Sequence, residues 1–205
     1  ALTTNRLLNI QANSVGNIWC VTYDLLAYLF DRRSGAYVDI NSRINAKFGI
    51  NFRTARAITM KNGHSWLLNI ESGEPMVRID DRCFQTDDAI ELYQPGDPLF
   101  KAKEFFWAYE DHDGQEWLIT DKGVARIDGS YVSDRPFRYI EQIGQTIFLG
   151  TADGQLSLYD KATKRQTDLS IPAEVTELGA LLNGCERWMV AATNAGFYIY
   201  DTQQH

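Results

Sequence analysis

The stretch EDHDGQEWLITDKGVARIDG, residues 110–129, decides the fold. Two short apolar bursts, around Trp117–Thr120 and Val124–Ile127, flank the two-residue turn Asp121-Lys122. Gly123 ends that turn, where a backbone with positive φ is often needed. On its own the segment reads as a β-hairpin. Residues 144–160, GQTIFLGTADGQLSLYD, nearly repeat it, and so does VAATNAGFYIYD at 190–201. Two diverged copies precede them, WCVTYDLLAYLFD at 19–31 and WLLNIESGEPMVRID at 66–80.

Each copy closes on an aspartate: Asp31, Asp80, Asp128, Asp160 and Asp201, with spacings of 49, 48, 32 and 41 residues. A period near 40 with a hairpin inside it is the mark of a blade-type array. Ahead of each hairpin runs an inner strand, expected at 7–12, 55–60, 105–110, 137–143 and 175–182. A glycine turn follows each one (Gly16, Gly63, Gly114, Gly144, Gly184), and a fourth, outer strand such as AYVDIN (36–41) completes the unit. Segments such as IFLGT and WMVAAT are apolar on successive residues, as expected of strands covered on both faces. The predicted fold class is therefore all-β, a β-propeller of four-stranded antiparallel blades. About five blade units are expected, near 7–41, 53–85, 103–133, 137–169 and 175–201, in one propeller domain or segment spanning 1–205. Helical runs fare poorly. LLAYLF (25–30) lacks caps, and DDAIELY (87–93) promises one short turn. The last unit reaches Asp201 without an outer strand, so the reading is a piece of a larger propeller, with a closed five-blade ring as the alternative.

The repeated threonines (Thr22, Thr120, Thr151, Thr193) suit strands, and their hydroxyls can bond a turn backbone, as can the closing aspartates. Recurrence in every unit marks these residues as structural.

Composition narrows the function classes. The 205 residues are 44% apolar and 12% aromatic and carry a net charge of -7, with acids and bases interspersed. That balance argues against nucleic-acid binding, which needs a basic face. Cys20, Cys83 and Cys185 lie far apart, matching neither a disulfide framework nor a metal site. No segment is apolar and long enough to span a membrane. DHDG (111–114) resembles the start of a calcium loop but lacks the later ligands, and it reads as a repeat turn. Neither metal nor cofactor is called for.

The repeats resemble the two-component regulator propeller repeat, roughly D-x-x-G-x-L-W-I-G-T-x-x-G-L-x-x-Y/F-D. The best match is Asp111, Gly114, Trp117, Thr120, Gly123, Val124, Ile127 and Asp128. Next come Gly144, Phe148, Gly150, Thr151, Gly154, Leu158, Tyr159 and Asp160. The first unit keeps Gly16, Trp19, Thr22, Leu26, Phe30 and Asp31, with Leu25 in place of the turn glycine. The second keeps Gly63, Trp66 and Asp80, and the fifth Thr193, Gly196, Phe197, Tyr200 and Asp201. The resemblance implies the extracytoplasmic, periplasmic sensor region of a hybrid two-component histidine kinase anchored in the inner membrane, of the kind that detects oligosaccharides in Bacteroides-type bacteria. Its implied partners are an oligosaccharide or other small ligand, further blades and signalling domains of the same polypeptide, and a homodimer. The repeats bring no catalytic motif.

Propellers bind where the turns inside each hairpin and the blade connections converge. The variable turn residues Tyr23, Asp24, Glu71, Asp121, Lys122, Asp153 and Asn194 are thus the candidate ligand contacts. Arg53, Lys103 and Arg138, at the entries to inner strands, add cations suited to a carboxylate or sulfate. The long connection 85–104 is a further candidate, anchored by Tyr93 and Phe100. Two rivals stay open. One is a five-bladed propeller glycoside hydrolase using Asp24, Glu71, Asp121 and Asp153; the other is a non-catalytic protein-interaction propeller.

Overall fold

Strands that are neighbours in sequence are neighbours in space throughout the chain, because each is too short to do more than turn back on the last. The computed structural model describes all residues except 1, 3, 5, 70–72 and 204–205. Nineteen described strands form five antiparallel meanders. The first sheet is β1 (Leu7–Ala12), β2 (Ile18–Thr22), β3 (Ala27–Asp31) and β4 (Ala36–Asp39). Helix α1 (Ile40–Phe48) follows, and then the second sheet, β5 (Thr54–Thr59), β6 (His64–Asn69), β7 (Met76–Asp80) and β8 (Ile90–Tyr93). The third is β9 (Phe105–Glu110), β10 (Glu116–Thr120), β11 (Gly123–Arg126) and β12 (Tyr131–Ser133), and the fourth β13 (Phe137–Ile143), β14 (Thr146–Thr151), β15 (Leu156–Asp160) and β16 (Arg165–Leu169). The fifth has three strands, β17 (Leu178–Gly184), β18 (Trp188–Thr193) and β19 (Gly196–Asp201). The chain divides into two compact units, Ala1–Glu110 and Asp111–His205.

The repeated polar residues do local work. All five closing aspartates accept a backbone N–H two residues on: Asp31 from Arg33, Asp80 from Arg82, Asp128 from Ser130, Asp160 from Ala162 and Asp201 from Gln203, at 2.8–3.1 Å. The threonines tie the other turn. Thr120 Oγ1 accepts from Lys122 N and donates to Gly123 O, and Thr193 Oγ1 does the same with Ala195 N and Gly196 O. These are side-chain turns that free no strand hydrogen bond and so recur cheaply in every sheet. Leu25 adopts φ 62° where the other hairpins place glycine, and its side chain is buried.

The second strands β2, β6, β10 and β14 are almost wholly buried, as their continuous apolar runs predict. WMVAAT differs: β18 alternates, with Met189 and Ala191 buried and Trp188 exposed. Its sheet is covered on one face, where Leu181, Met189 and Ala191 pack on Phe148. The other face presents Leu182, Trp188, Phe197 and Ile199 to solvent.

Three expectations are corrected. The first unit's outer strand ends at Asp39 rather than 41, because Asp39 turns the chain into helix α1 by accepting from Ser42 N (2.9 Å) and Ser42 Oγ (2.8 Å). Gly49, at φ 67°, ends that helix by donating to Asn45 O. The second unit does not stop at 85. Its fourth strand is β8, inside the stretch taken for a connection, after a single 3-10 turn at Asp87–Ala89. Tyr93 and Phe100 do anchor this region, in an edge-to-tilted run from Trp66 through Tyr93 and Phe100 to Phe105 with centroids 4.8–5.7 Å apart. Finally, the inner strand of the fifth sheet starts at Leu178, not 175, while its three described strands agree with a last unit that lacks its outer strand.

Helix α1 is held by Asn41, which is 1% exposed. Its Oδ1 accepts from Ala27 N (2.7 Å) and Thr54 Oγ1 (2.8 Å), and its Nδ2 donates to Phe52 O (2.7 Å). Asn41→Ala is expected to cost about 2 kcal/mol in urea unfolding, since it strands buried groups on both neighbouring sheets. Asn41→Asp, which keeps the two acceptor bonds, should cost less than Asn41→Ala at low pH.

Within each unit, a buried tryptophan N–H marks the seam between adjacent sheets, and the two seams are chemically different. In the first unit Trp19 Nε1 donates to Ser65 Oγ (2.8 Å), which donates to Asp81 Oδ2 (2.7 Å). Asp81 is 1% exposed. Burial pushes its carboxyl up to about 6, against the opposing pull of Ser65, Asn13, Trp19 and the nearby His64. A group whose folded value is raised takes up a proton on folding, so this contribution to stability falls as pH rises from about 4 to about 6. Asp31, Asp111, Asp128, Asp160, Asp168 and Asp201 are all held low by their hydrogen-bond donors and act only at lower pH. Urea unfolding at about pH 4.5 and pH 6.5 should therefore show Asp81→Asn gaining on the parent by about 2 kcal/mol at the higher pH. An equal difference at both pH values would contradict a protonated Asp81.

Candidate functional site

Strand direction alternates, so the hairpin turns β2–β3, β10–β11, β14–β15 and β18–β19 lie on the same sheet edge as the entries to the inner strands. Backbone bonds confirm this inside each unit. Thr54 N donates to Leu25 O (2.8 Å) in the first, and Leu178 N to Ala152 O (3.1 Å) in the second.

In the first unit the structure brings Tyr23, Asp24 and Arg53 to one rim, all exposed. It also adds a residue that sequence reasoning missed. The Arg6 guanidinium lies over the Tyr23 ring, 4.3 Å from its centroid, and Tyr23 N donates to Arg6 O (3.1 Å). No repeat signal marks Arg6, because it precedes the first strand. A half-exposed aromatic ring with a cation on one face still offers its other face and its hydroxyl. Lys103 is exposed just before β9, and Glu71 lies outside the described residues.

In the second unit Asp121 and Lys122 occupy the β10–β11 turn, with Lys122 Nζ 3.9 Å from Asp121 Oδ2. Asp153 is exposed and accepts from Thr151 Oγ1 and from Gln155 Nε2 (3.4 Å). Arg138 is half-buried as the second residue of β13. Asn194 is differently employed. Its Oδ1 accepts from Thr176 N and Glu177 N (both 3.0 Å), and its Nδ2 donates to Glu174 O (3.2 Å) and Thr176 Oγ1 (3.1 Å). With its amide committed on both sides, Asn194 fastens the entry to β17 to the adjoining turn.

An apolar cavity of about 190 Å³ also lies in the second unit, lined by Phe148, Leu156, Pro172, Met189, Tyr198 and Tyr200. It is a seam between the fourth and fifth sheets and has few polar groups to orient a hydroxylated ligand. Cys20 is buried, while Cys83 and Cys185 are exposed, and all three are free. Among the described residues no three His, Cys, Asp or Glu are grouped to hold a metal ion. No helix among them is long and apolar enough to cross a membrane.

No protein-family model matches the chain, and no curated protein is significantly similar to it in sequence. Solved structures match in fold. The extracellular domain of BT3049, a proposed hybrid two component system of B. thetaiotaomicron, superposes with a TM-score of 0.65 at 15% identity, covering 97% of this chain and 27% of that one. The extracellular domain of BT4673 from the same organism gives 0.64 at 13% identity, covering 99% and 29%. PorZ, a surface component of the type-IX secretion system of Porphyromonas gingivalis, gives 0.67 at 14% identity, covering 98% and 33%. The chain thus spans about a quarter to a third of the length of these structures. Its repeats build the all-β propeller blades found in the extracellular domains of Bacteroides two-component systems.

Proposed function

We propose that the chain is a ligand-reading part of an extracytoplasmic, periplasmic sensor of the two-component type, responding to an oligosaccharide. The observation that supports this reading is the fold shared with the extracellular domains of BT3049 and BT4673 over nearly all of the chain. Each unit carries its own turn rim as a contact surface: Tyr23, Asp24 and Arg53 on the first, Asp121, Lys122 and Asp153 on the second. An aromatic face packs on sugar rings, and carboxylates and cations bond hydroxyl and acidic groups. Blades packed this tightly deform little. The signal is therefore a displacement between propeller bodies, or against a following domain, that ligand favours in one arrangement. A tenfold shift needs about 1.4 kcal/mol of differential binding, the worth of one or two hydrogen bonds.

Further blades of the same polypeptide are the nearest partners. The exposed face of the fifth sheet supports this, since Leu182, Trp188, Phe197 and Ile199 form one contiguous apolar surface of the kind proteins cover.

A glycan-panel thermal-shift screen on the whole extracytoplasmic region is expected to find a stabilising oligosaccharide. The triple change Tyr23→Ala, Asp121→Ala, Asp153→Ala should weaken it by about tenfold or more while leaving the melting temperature of the free protein nearly unchanged. Unchanged affinity would remove the rim as the contact surface.

A further inference from the structure

The seam between the first and second sheets is tied at both ends, and the two ties differ in kind. At the rim end they are uncharged. Thr54 N donates to Leu25 O (2.8 Å), and the Asn41 amide bonds Ala27 N, Thr54 Oγ1 and Phe52 O at 2.7–2.8 Å. At the opposite edge the tie runs through an acid. Trp19 Nε1, from the first sheet, donates to Ser65 Oγ (2.8 Å) of the second, and Ser65 Oγ donates to Asp81 Oδ2 (2.7 Å). The backbone N of Asp81 donates to Gly63 O (2.9 Å), which fixes the carboxyl beside Asn13 on the β1–β2 turn. Asn13 is fixed in its turn, its Oδ1 accepting from Asn17 N (2.8 Å).

Asp81 is 1% exposed, and no lysine or arginine among the described residues holds an ion pair with it. The charged groups on the elements packed around it are engaged elsewhere or exposed. On its own turn Asp80 and Arg82 pair with each other through two bonds of 2.8 Å. On the β3–β4 turn Asp31 accepts from Ser34 Oγ (2.7 Å) and Arg33 N (3.1 Å), while Arg32 and Arg33 are exposed. On β6 the His64 Nδ1 lies 3.1 Å from Asn62 Oδ1, and Lys61 on the turn before it is exposed. Burial lifts the Asp81 carboxyl, and Ser65, Asn13, Trp19 and His64 together offset only part of that. A carboxylate here has lost its water and gained no counter-charge, so the closed seam favours the neutral acid. Parting the edge lets water reach the carboxyl, and the open seam favours the ion. The matching seam of the second unit keeps its charge, because Lys161 Nζ lies 2.6 Å from Asp111 Oδ2.

We propose that the seam of the first unit is a proton-linked hinge, fixed at the rim by Asn41 and parting at the opposite edge when Asp81 loses its proton. The proposal does not rest on the rim as a glycan contact. Hydrogen exchange followed by NMR on the full chain tests it, each rate being corrected for the intrinsic pH dependence of exchange. Opening at the Trp19 Nε1–H should rise about tenfold or more from pH 4.5 to pH 7. At pH 7 the same proton should open about tenfold or more often than the Ala27 and Thr54 amides at the fixed end. Both measurements use the parent chain and need no variant. In Asp81→Asn, which keeps the size of the side chain and removes its titration, opening at Trp19 should change less than about twofold over that range. Opening at Trp19 that ignores pH in the parent would overturn the proposal. So would equal opening at Trp19, Ala27 and Thr54, which means that the unit unfolds as a whole, or an unaltered pH dependence in Asp81→Asn.

Discussion

Gly123→Ala is expected to destabilise the chain by about 4 kcal/mol or more, enough to abolish folding of a marginal domain. Gly123 sits at φ 128°, and a Cβ there would lie 1.9 Å from Ser133 O and 2.7 Å from Ser133 C. Both contacts are backbone, so no rotamer change relieves them. Strand β12 would have to leave β11, where Val124 pairs with Ser133. Gly196 occupies the same place in the fifth sheet, at φ 121°, but nothing lies within 4 Å of its would-be Cβ. Among the described residues that sheet has no fourth strand to fill the space. Gly196→Ala is therefore expected to cost only the backbone term, about 1–2 kcal/mol. Chemical denaturation of the two variants separates conformational strain from overlap, and equal losses would contradict the close approach of β12.

Asp111→Ala is expected to cost about 3–5 kcal/mol, because it breaks the buried seam of the second unit from its centre. Asp111 Oδ2 accepts from Trp117 Nε1 (2.9 Å) and Lys161 Nζ (2.6 Å), while Oδ1 accepts from Asp113 N (2.9 Å) and Gln115 N (3.0 Å). Lys161, whose side chain is 11% exposed, would keep only Asp113 as a partner. Adding Lys161→Met should recover part of the loss, since it removes the stranded charge and keeps the aliphatic stem. A double-mutant cycle with no coupling between the two positions would show that the pair is not a unit. The acid limb carries a second signature. Burial works to raise the Asp111 carboxyl, but the bonds from Lys161, Trp117 and Gln115 outweigh it and hold the group low. A lowered carboxylate contributes stability above its unfolded value that is lost as pH falls through the folded value. The variant should thus lose less stability than the parent on acidification below about pH 4.

Asp111 and Asp81 show how one repeat position takes opposite electrostatics. Asn13 stands in the first repeat where Asp111 stands in the third, and Asp81 follows Asp80 as Lys161 follows Asp160. The second unit's seam is an ion pair; the first unit's is a buried acid beside an amide. Nothing in the repeat pattern announces this exchange, because the partners come from different repeats, 46 to 50 residues apart.

Helix α1 is a different kind of miss. Asp39, Ser42 and Gly49 are its cap residues and were all present in the sequence. Nine residues give too short a periodic run to stand out among strands, and its stability comes from Asn41 and Ile44 packed between sheets. Likewise β8 was hidden in an apparent loop, because an outer strand needs only one covered face and so carries little apolar pattern.

The sequence by itself determined the hairpin repeat, the turn glycines and threonines, the closing aspartates and hence the class of fold, because those residues act on backbone within a few positions of themselves. Only the tertiary structure decided which candidates are free to bind. It committed the Asn194 amide to the entry of β17, set Arg6 over Tyr23, and buried Asp81 beside Ser65 and Asn13. Those outcomes depend on groups far apart in the chain meeting in one environment, and burial and hydrogen-bond satisfaction exist only once the sheets have packed.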